Sequence, residues 1–373
     1  MKMIMSKNEF IKSLARVQGV VERRNNLPIL SYVLMKAQNG SVEISSTDLD
    51  VGLRATHKAD VVENGIMTVM AKKAFEIARE LPEDEVEIAL EDKSRVRFTS
   101  GKANFRMVGL PPEEYPQLPE PSGKSELWCL KKPLEEMIQK TFFAVSHDQQ
   151  RYALSGILME IDTDIDGDRQ VCRMVATDGH RLAHIERNCL RGAKEERKFI
   201  LPRKAILELK KILDDIEDEE IRIDYKDNHL FFIGQTVTLT ARLVEGQFPE
   251  YQQVIPKSSE STAVMDREEL NRVLRRIAIL NADRANPARF IFSHEGLKVS
   301  ADNPDVGDVE ESMTIAFEGE GLELGFNPRY IQDLLAAVTE QRITLGMNKP
   351  LTPGLFTVEG DADYQYVVMP MRL

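Results

Sequence analysis

The chain repeats itself three times with a period near 125–130 residues, and that period restricts it to folds built from one module used three times. Each unit opens on an amphipathic helix pattern. Phe10, Ile11, Leu14 and Val17 form one apolar stripe, Leu134, Met137, Ile138 and Thr141 a second, and Leu270, Val273, Leu274 and Ile277 a third. These are the i, i+3, i+4, i+7 positions of a helix face. Strand-like sequence with a marked turn follows: ISSTDLDVGLRA, MVATDGHRLAHI and VSADNPDVGDVE. Asp48, Asp178 and Asp302 hold the equivalent place in these turns, 130 and then 124 residues apart. An Asp there bonds its own backbone and favours a turn. A second helix comes next, in AKKAFEIARELP, PRKAILELKKIL and NPRYIQDLLAAV, where Phe75, Ile206 and Ile331 align at separations of 131 and 125. The strands EVEIAL, EIRIDY and RITLGM close the pattern. Two landmarks thus share their offsets within one residue. The expected fold is α+β: three repeated domains, each with two helices packed on antiparallel sheets of about eight short strands. Pro, Ser, Gly and Lys cluster near Pro121–Lys124 and Pro256–Ser261. The expected domains are 1–123, 124–257 and 258–373.

Charge is informative only after this division. The chain of 373 residues carries 49 Lys or Arg against 61 Asp or Glu, a formal net charge of −12. Taken whole, that figure opposes binding to phosphate backbones and anionic membranes. The six helical segments (9–18, 72–80, 131–140, 203–211, 267–276 and 328–337) hold 17 basic and nine acidic residues, a formal +8, so the remainder carries −20. If equivalent helices of repeated domains face equivalent directions, basic helices line one surface; in a closed arrangement that surface is the inside of a ring. Duplex DNA presents about one negative charge per ~1.7 Å of axis, and such a wall attracts it. No aromatic or Asn/Gln base-reading cluster accompanies the helices, so contact would be with phosphates and independent of sequence. Lys-rich helix faces also serve solubility alone. Closure needs ends that join. The first unit offers Lys93, Arg95, Arg97, Lys102 and Arg106, and the third offers Asp302, Asp305, Asp308, Glu310 and Glu311. Head-to-tail contacts make rings when the rotation closes. The candidate joining residues are Lys73, Phe105, Met107, Ile279 and Leu280.

Several chemical readings fail on inspection. The segment 162–173, DTDIDGDRQVCR, starts like a calcium loop with Asp162, Asp164, Asp166 and Gly167, but its twelfth position is Arg173 where a bidentate Glu is needed. An acidic hairpin tip is expected there. His180 and His184 are four apart, but the segment alternates like a strand and no HExxH is present. The Asp178–His180 pair has no nucleophile elbow to serve, and there is no P-loop. Cys129, Cys172 and Cys189 contain no CxxC pair and suggest no disulfide framework. The opening MKMIMSKNEFIKS lacks a long apolar core, and no run reaches the ~18 apolar residues of a membrane span. A non-catalytic cytoplasmic protein is expected, with no cofactor, no metal and no membrane partner.

The segments NNLPIL (25–30), VATDGHRLA (175–183), LPRKAILEL (201–209), LVEGQFPEYQQVIP (243–256), GFNPRY (325–330) and YVVMPMRL (366–373) stand in an order and spacing that resemble the bacterial DNA polymerase sliding clamps, the β subunits of polymerase III. The resemblance spans the whole chain. It implies a head-to-tail homodimer forming a six-domain ring around duplex DNA, a mobile tether rather than an enzyme. It implies as partners the polymerase III α subunit, an ATP-driven clamp loader and other proteins carrying clamp-binding motifs. It further implies a peptide cleft between the second and third domains, made by Leu154, Thr177, Gly179, His180, Arg181, Leu182, Pro249, Val254, Asn327, Tyr330, Val367, Val368, Met369, Pro370, Met371 and Arg372. Leu, Val, Met and Pro make such a groove apolar, and Met adapts to varied ligands. Gln253 stands where some members carry Arg, and Leu351–Pro353 falls on the rim. For DNA, the resemblance points to Arg24, His147 and Gln149, and charge points to Lys72, Arg79, Arg203, Lys204, Lys210 and Lys211. A clamp-like paralogue specialised for repair or drug resistance, with different partners, is the alternative.

Overall fold

The computed structural model describes residues 1–21, 27–92, 94–148, 150–163, 170–280 and 287–373. One order of elements runs through it three times. The first pass is β1 (Lys2–Ser6), α1 (Lys7–Gln18), β2 (Tyr32–Gln38), β3 (Ser41–Thr47), β4 (Val51–Lys58), β5 (Asp60–Glu63), β6 (Gly65–Met70), α2 (Ala71–Glu80), β7 (Glu85–Leu90), β8 (Arg95–Ser100) and β9 (Ala103–Val108). The second is β10 (Leu127–Leu130), α3 (Lys131–Thr141), β11 (Gly156–Thr163), β12 (Gln170–Thr177), β13 (Arg181–Arg187), β14 (Leu190–Arg191), β15 (Arg197–Pro202), α4 (Arg203–Asp215), β16 (Glu220–Lys226), β17 (His229–Ile233) and β18 (Val237–Arg242). The third is β19 (Ser261–Asp266), α5 (Arg267–Leu280), β20 (Ala288–Ser293), β21 (Gly296–Asn303), β22 (Gly307–Met313), β23 (Ala316–Glu318), β24 (Leu322–Phe326), α6 (Pro328–Ala337), β25 (Arg342–Met347), β26 (Gly354–Val358) and β27 (Asp361–Val368). Each pass holds two helices and nine strands among the described residues, one strand more than the sequence pattern predicts.

The apolar stripes explain the helices. Phe10, Leu14 and Val17 are buried under α1, and Leu270, Val273, Leu274 and Ile277 under α5. Ser6 stops β1 and starts α1: its side chain accepts a hydrogen bond from the Glu9 amide at 3.1 Å, satisfying one donor of the first turn. Asn327 caps α6 in the same way, accepting from Arg329 N at 3.0 Å.

Every pass builds one five-stranded and one four-stranded antiparallel sheet, and the sheets of successive passes merge. The last strand of one five-stranded sheet, β18, pairs with β4 in a nine-stranded sheet, from Val237↔Ala55 to Ala241↔Val51. In the other nine-stranded sheet β27 pairs with β13, from Arg181↔Val368 to Ile185↔Tyr364. The five-stranded sheet ending in β9 and the four-stranded sheet ending in β22 remain separate. The chain forms two compact units, one of Met1–Lys132, Leu190–Ala193 and Lys204–Leu243, the other of Pro133–Cys189, Lys194–Arg203 and Val244–Leu373. In the first unit α1 lies against α4, with Arg16 paired to Asp215. In the second, Gln139 of α3 donates to the Ala337 carbonyl of α6 at 3.2 Å.

The turn expectation holds in two repeats and shifts in the third. Asp48 Oδ1 accepts from the amides of Asp50 and Val51, and Asp178 Oδ1 from those of His180 and Arg181. Asp302 instead lies in β21, opposite Asp308, and Asn303 makes the turn by accepting from Asp305 N at 3.0 Å. The separation from Asp178 to Asn303 is 125 residues, the same as between the second helices. Of the calcium-like segment, Asp164, Asp166 and Gly167 lie outside the described residues; Thr163 pairs with Gln170 across the flanking strands, and Arg173 holds Asp162 at 2.7 Å. Among the described residues no group of three His, Cys, Asp or Glu is placed to hold a metal, and no helix is long and apolar enough to cross a membrane.

Candidate functional site

The candidate DNA-contacting cations sort into free and engaged. Arg24 and Gln149 lie outside the described residues, and His147 is exposed. Lys72 and Arg79 of α2 and Lys210 and Lys211 of α4 are exposed, opposite the faces that bury Ala74, Ala78, Ile206 and Leu209. Lys72 and Lys73 share Glu76 at 3.9 and 2.7 Å, and Lys211 pairs with Glu208 at 2.7 Å. Arg79 lies over the Phe75 ring, and neither it nor Lys210 has a carboxylate within ion-pair distance among the described residues. Lys204 departs from the expectation. Its ammonium donates to the Val20 carbonyl at 2.9 Å and to Asp48, so its charge is paired although the side chain is partly exposed. Arg203 is half-buried over the Phe142 ring, 4.7 Å from its centroid, and burial lowers its pKa. Lys140, part of the helical +8, is buried among Glu136, Glu340 and Asp361. In return, Lys132 of α3 and Arg272 and Arg275 of α5 are exposed with no carboxylate within ion-pair distance among the described residues. The helical charge count includes all three, but only their position off the apolar stripe singles them out.

All the predicted cleft residues lie in the second unit, and three of them, Leu154, Leu182 and Val367, belong to or pack on one apolar cluster. Leu158, Val175, Leu182, Ile200, Phe248, Tyr251 and Val367 form a buried cluster, with Leu154, Val244, Ile255 and Leu355 packed on it. Leu154, Leu182 and Val367 are thereby brought together in one cluster. Leu158, Ile200, Phe248 and Tyr251 are additions; the last two were available in the GQFPEYQQ segment. Pro249 and Val254 are exposed at the edge, as are Gln253 and Leu351. Val368, like Val367 beside it, is buried, at 0% and 2% exposure.

The turn from Thr177 to Arg181 sets the second half of the site. Thr177 Oγ1 accepts from Gly179 N and donates to the Arg181 carbonyl at 2.6 Å. Gly179 has φ +90°, a conformation that penalises any side chain. His180 is left exposed and stacks on Tyr330, with ring centroids 6.5 Å apart. Arg181 is held from three sides, by Asp178 at 3.0 Å, Asp333 at 2.5 Å and the Phe143 carbonyl at 2.7 Å. Its guanidinium lies 4.5 Å from the Tyr330 centroid, so it positions that ring instead of pointing into the groove. Burial, followed by Asp178, pushes the Tyr330 phenol up. Met369 N donates to the His180 carbonyl at 2.9 Å and Met371 N to the Gly325 carbonyl at 2.7 Å. These bonds lay the C-terminal residues along the site with Met369 and Arg372 exposed and Pro370 and Met371 half-buried.

The candidate joining residues sit at the two unjoined sheets. Phe105 and Met107 are half-buried on β9, Lys73 is exposed on α2, and Leu280 is half-buried at the end of α5. Ile279 is 73% exposed. The charges predicted to face each other are partly paired at home: Arg97 with Glu87 and Glu91, Arg106 with Glu91, Glu310 with Lys298, and Glu311 with Arg276. Lys93 lies outside the described residues.

Comparison with known proteins agrees with this arrangement over the full length. Sequence models of the DNA polymerase III beta subunit match as N-terminal domain at residues 1–119, central domain at 130–250 and C-terminal domain at 252–372. The beta sliding clamp of Pseudomonas putida is 33% identical over 374 residues, covering all of both chains. That of Chlamydia muridarum is 31% identical, covering all of this chain and 99% of the relative. The DnaN sliding clamp of Bartonella birtlesii, solved bound to griselimycin, superposes with a TM-score of 0.93 at 32% identity over the whole of both chains. The Bacillus subtilis DNA polymerase sliding clamp does so at 0.94 and 25% identity, covering all of this chain and 99% of that one. With three family domains in register and relatives of this identity end to end, the chain belongs to the DNA polymerase III beta subunit family, the bacterial β sliding clamps.

Proposed function

We propose that two copies of this chain join head to tail into a ring around duplex DNA, and that each copy recruits replication proteins through the Leu182–Val367 cleft. As a β sliding clamp it is a processivity factor for DNA polymerase III and not a catalyst. The domains we assign are 1–123, 124–257 and 258–373.

The observation that carries the reading is the repeated rule of sheet joining. The last strand of a five-stranded sheet pairs with the third strand of a four-stranded sheet, as β18 does with β4 and β27 with β13. Applied to the remaining ends, the rule pairs β9 with β22 of a second copy. The helices follow suit. Since Phe75, Ile206 and Ile331 align, Ile77 takes the place of Glu208, which α1 covers at Gly19, and of Asp333. In a dimer α5 would cover Ile77 with Ile279, and Lys73, the counterpart of Lys204, would reach the end of that α5. An exposed isoleucine and an open strand edge are liabilities that such pairing removes.

In the ring, Lys72, Arg79, Lys132, Lys210, Lys211, Arg272 and Arg275 supply diffuse attraction to phosphates, with His147, Arg24 and Gln149 as loop contacts. Weak contacts suffice because enclosure, not affinity, holds the DNA, and they permit sliding. A polymerase bound to the ring rebinds the same primer end at high effective concentration. The partners we assign are double-stranded DNA, the polymerase III α subunit, a clamp loader and proteins with clamp-binding motifs, all in the cytoplasm. The specialised paralogue is not favoured, since the relatives named above are themselves beta sliding clamps.

A mass measurement in solution tests the assembly. The wild type is expected at twice the 42.4 kDa chain mass, and Ile279→Asp at once. A wild type that stays monomeric at micromolar concentration contradicts head-to-tail pairing. Removal of residues from Met369 onward is expected to abolish polymerase-peptide binding while the dimer persists. Unchanged peptide affinity would refute the cleft.

A further inference from the structure

We infer that the cleft has a polar side pocket, built around Glu160, that takes a lysine or arginine flanking the apolar anchor of a docked peptide. The inference rests on the reading of the Leu182–Val367 groove as a peptide site. A pocket of about 190 Å³ opens beside the groove, walled by Leu158, Ile200, Phe248 and Tyr251, four residues that also make the groove floor. An anchor lying on that floor therefore has neighbours within reach of the pocket. Its polar wall is Glu160, whose residue is 4% exposed.

Glu160 is fixed on one side and held by an exposed partner on the other. Tyr251 Oη donates to its Oε2 at 2.7 Å. Its Oε1 is paired with the exposed Lys198, whose Nζ lies 2.7 Å away. Lys198 is a long side chain rooted on β15 and 69% exposed, so its head is tethered weakly. A buried carboxylate needs a cation to offset its desolvation, and a ligand cation that replaces the solvent-exposed Lys198 in that role keeps the carboxylate paired while adding its own contacts to the pocket. The surroundings select a cation over an acid. The cross-strand row runs Lys198–Glu160–Arg173–Glu186, in which Arg173 is already held by Asp162 and Glu186. Glu250 lies in the pocket lining as well, leaving a net negative mouth. A guest ammonium or guanidinium displaces Lys198 to solvent and takes Oε1, and a guest carboxylate meets Glu160 and Glu250.

The test uses the full-length protein and a series of hexapeptides carrying two adjacent apolar residues and a single Lys, Ala or Glu on either side of them. Calorimetry is expected to rank Lys above Ala above Glu on one side of the anchor, with Lys about tenfold tighter than Ala. In Glu160→Gln the Lys-to-Ala ratio falls to about one. In Lys198→Ala, whose folding is checked by its unfolding transition because the change removes the ion-pair partner of Glu160, the ratio rises. Equal affinities for Lys, Ala and Glu with measurable binding overturn the side pocket and leave the cleft standing. No binding by any peptide of the series overturns both.

Discussion

Arg181 and Arg79 show how differently two arginines of one chain act. Arg181 is nearly buried, bonded to Asp178, Asp333 and the Phe143 carbonyl and laid on Tyr330. Arg181→Ala removes the cation shared by Asp178 and the half-exposed Asp333 and loosens the Tyr330 ring. It should cost about 1–3 kcal/mol of stability, read by denaturant unfolding, and weaken peptide binding. Arg79→Ala should leave stability within about 0.5 kcal/mol and reduce the salt slope of DNA binding by about one. A salt slope equal to wild type would remove Arg79 from the DNA-facing set. Residue roles were only partly legible in the sequence for the same reason. Lys204 reads as a free helix cation because its partners, Asp48 and the Val20 carbonyl, lie more than 150 positions away. Arg272 and Arg275 are marked in the sequence only by their position off the apolar stripe, and the structure adds that both are exposed.

Helix α3 carries the energetics of the second unit. Lys140 is held by Glu136 at 2.9 Å, Glu340 at 3.0 Å and Asp361 at 2.9 Å, and Arg187 reaches Glu136 and Asp361 at 2.6 and 2.5 Å. Hydrogen bonding from Arg187 holds the Glu136 carboxyl below its usual range. Burial opposes ionisation of Asp361 and Glu340, but their hydrogen bonds, including those from Lys140, outweigh it and both titrate low. Carboxyls depressed on folding stabilise the folded state above their ordinary range and lose that contribution as pH falls through it, near pH 4 and below. Lys140→Met should therefore lie well below wild type in Tm at pH 7, with the gap narrowing as pH approaches 3. A gap that does not change with pH would show that the network is not electrostatic in origin. At this scale the sequence was most informative. All six helices appear within a few residues of the predicted segments, because their stripes are long and periodic. The third turn slipped by one because Asp302 and Asn303 both suit such a turn, and only the length of β21 decides between them.

For the whole molecule, the acidity of the chain loses its first meaning. A formal −12 opposes DNA, yet exposed helix cations with no carboxylate within ion-pair distance among the described residues remain on α2, α3, α4 and α5. The repeat was legible from spacing alone, and the merged sheets were not, since strand edges carry no mark in the sequence of which partner they will take. The structure adds the rule by which modules join, and the rule leaves one pair of edges for a second copy. Encirclement is the central claim, and topology tests it most directly. The protein should be loaded by a clamp loader onto nicked circular plasmid, and its retention measured by gel filtration before and after a single restriction cut. Retention on the circle and loss within minutes of linearisation is the predicted result. Equal retention on circular and linear DNA would contradict a ring and indicate ordinary surface binding.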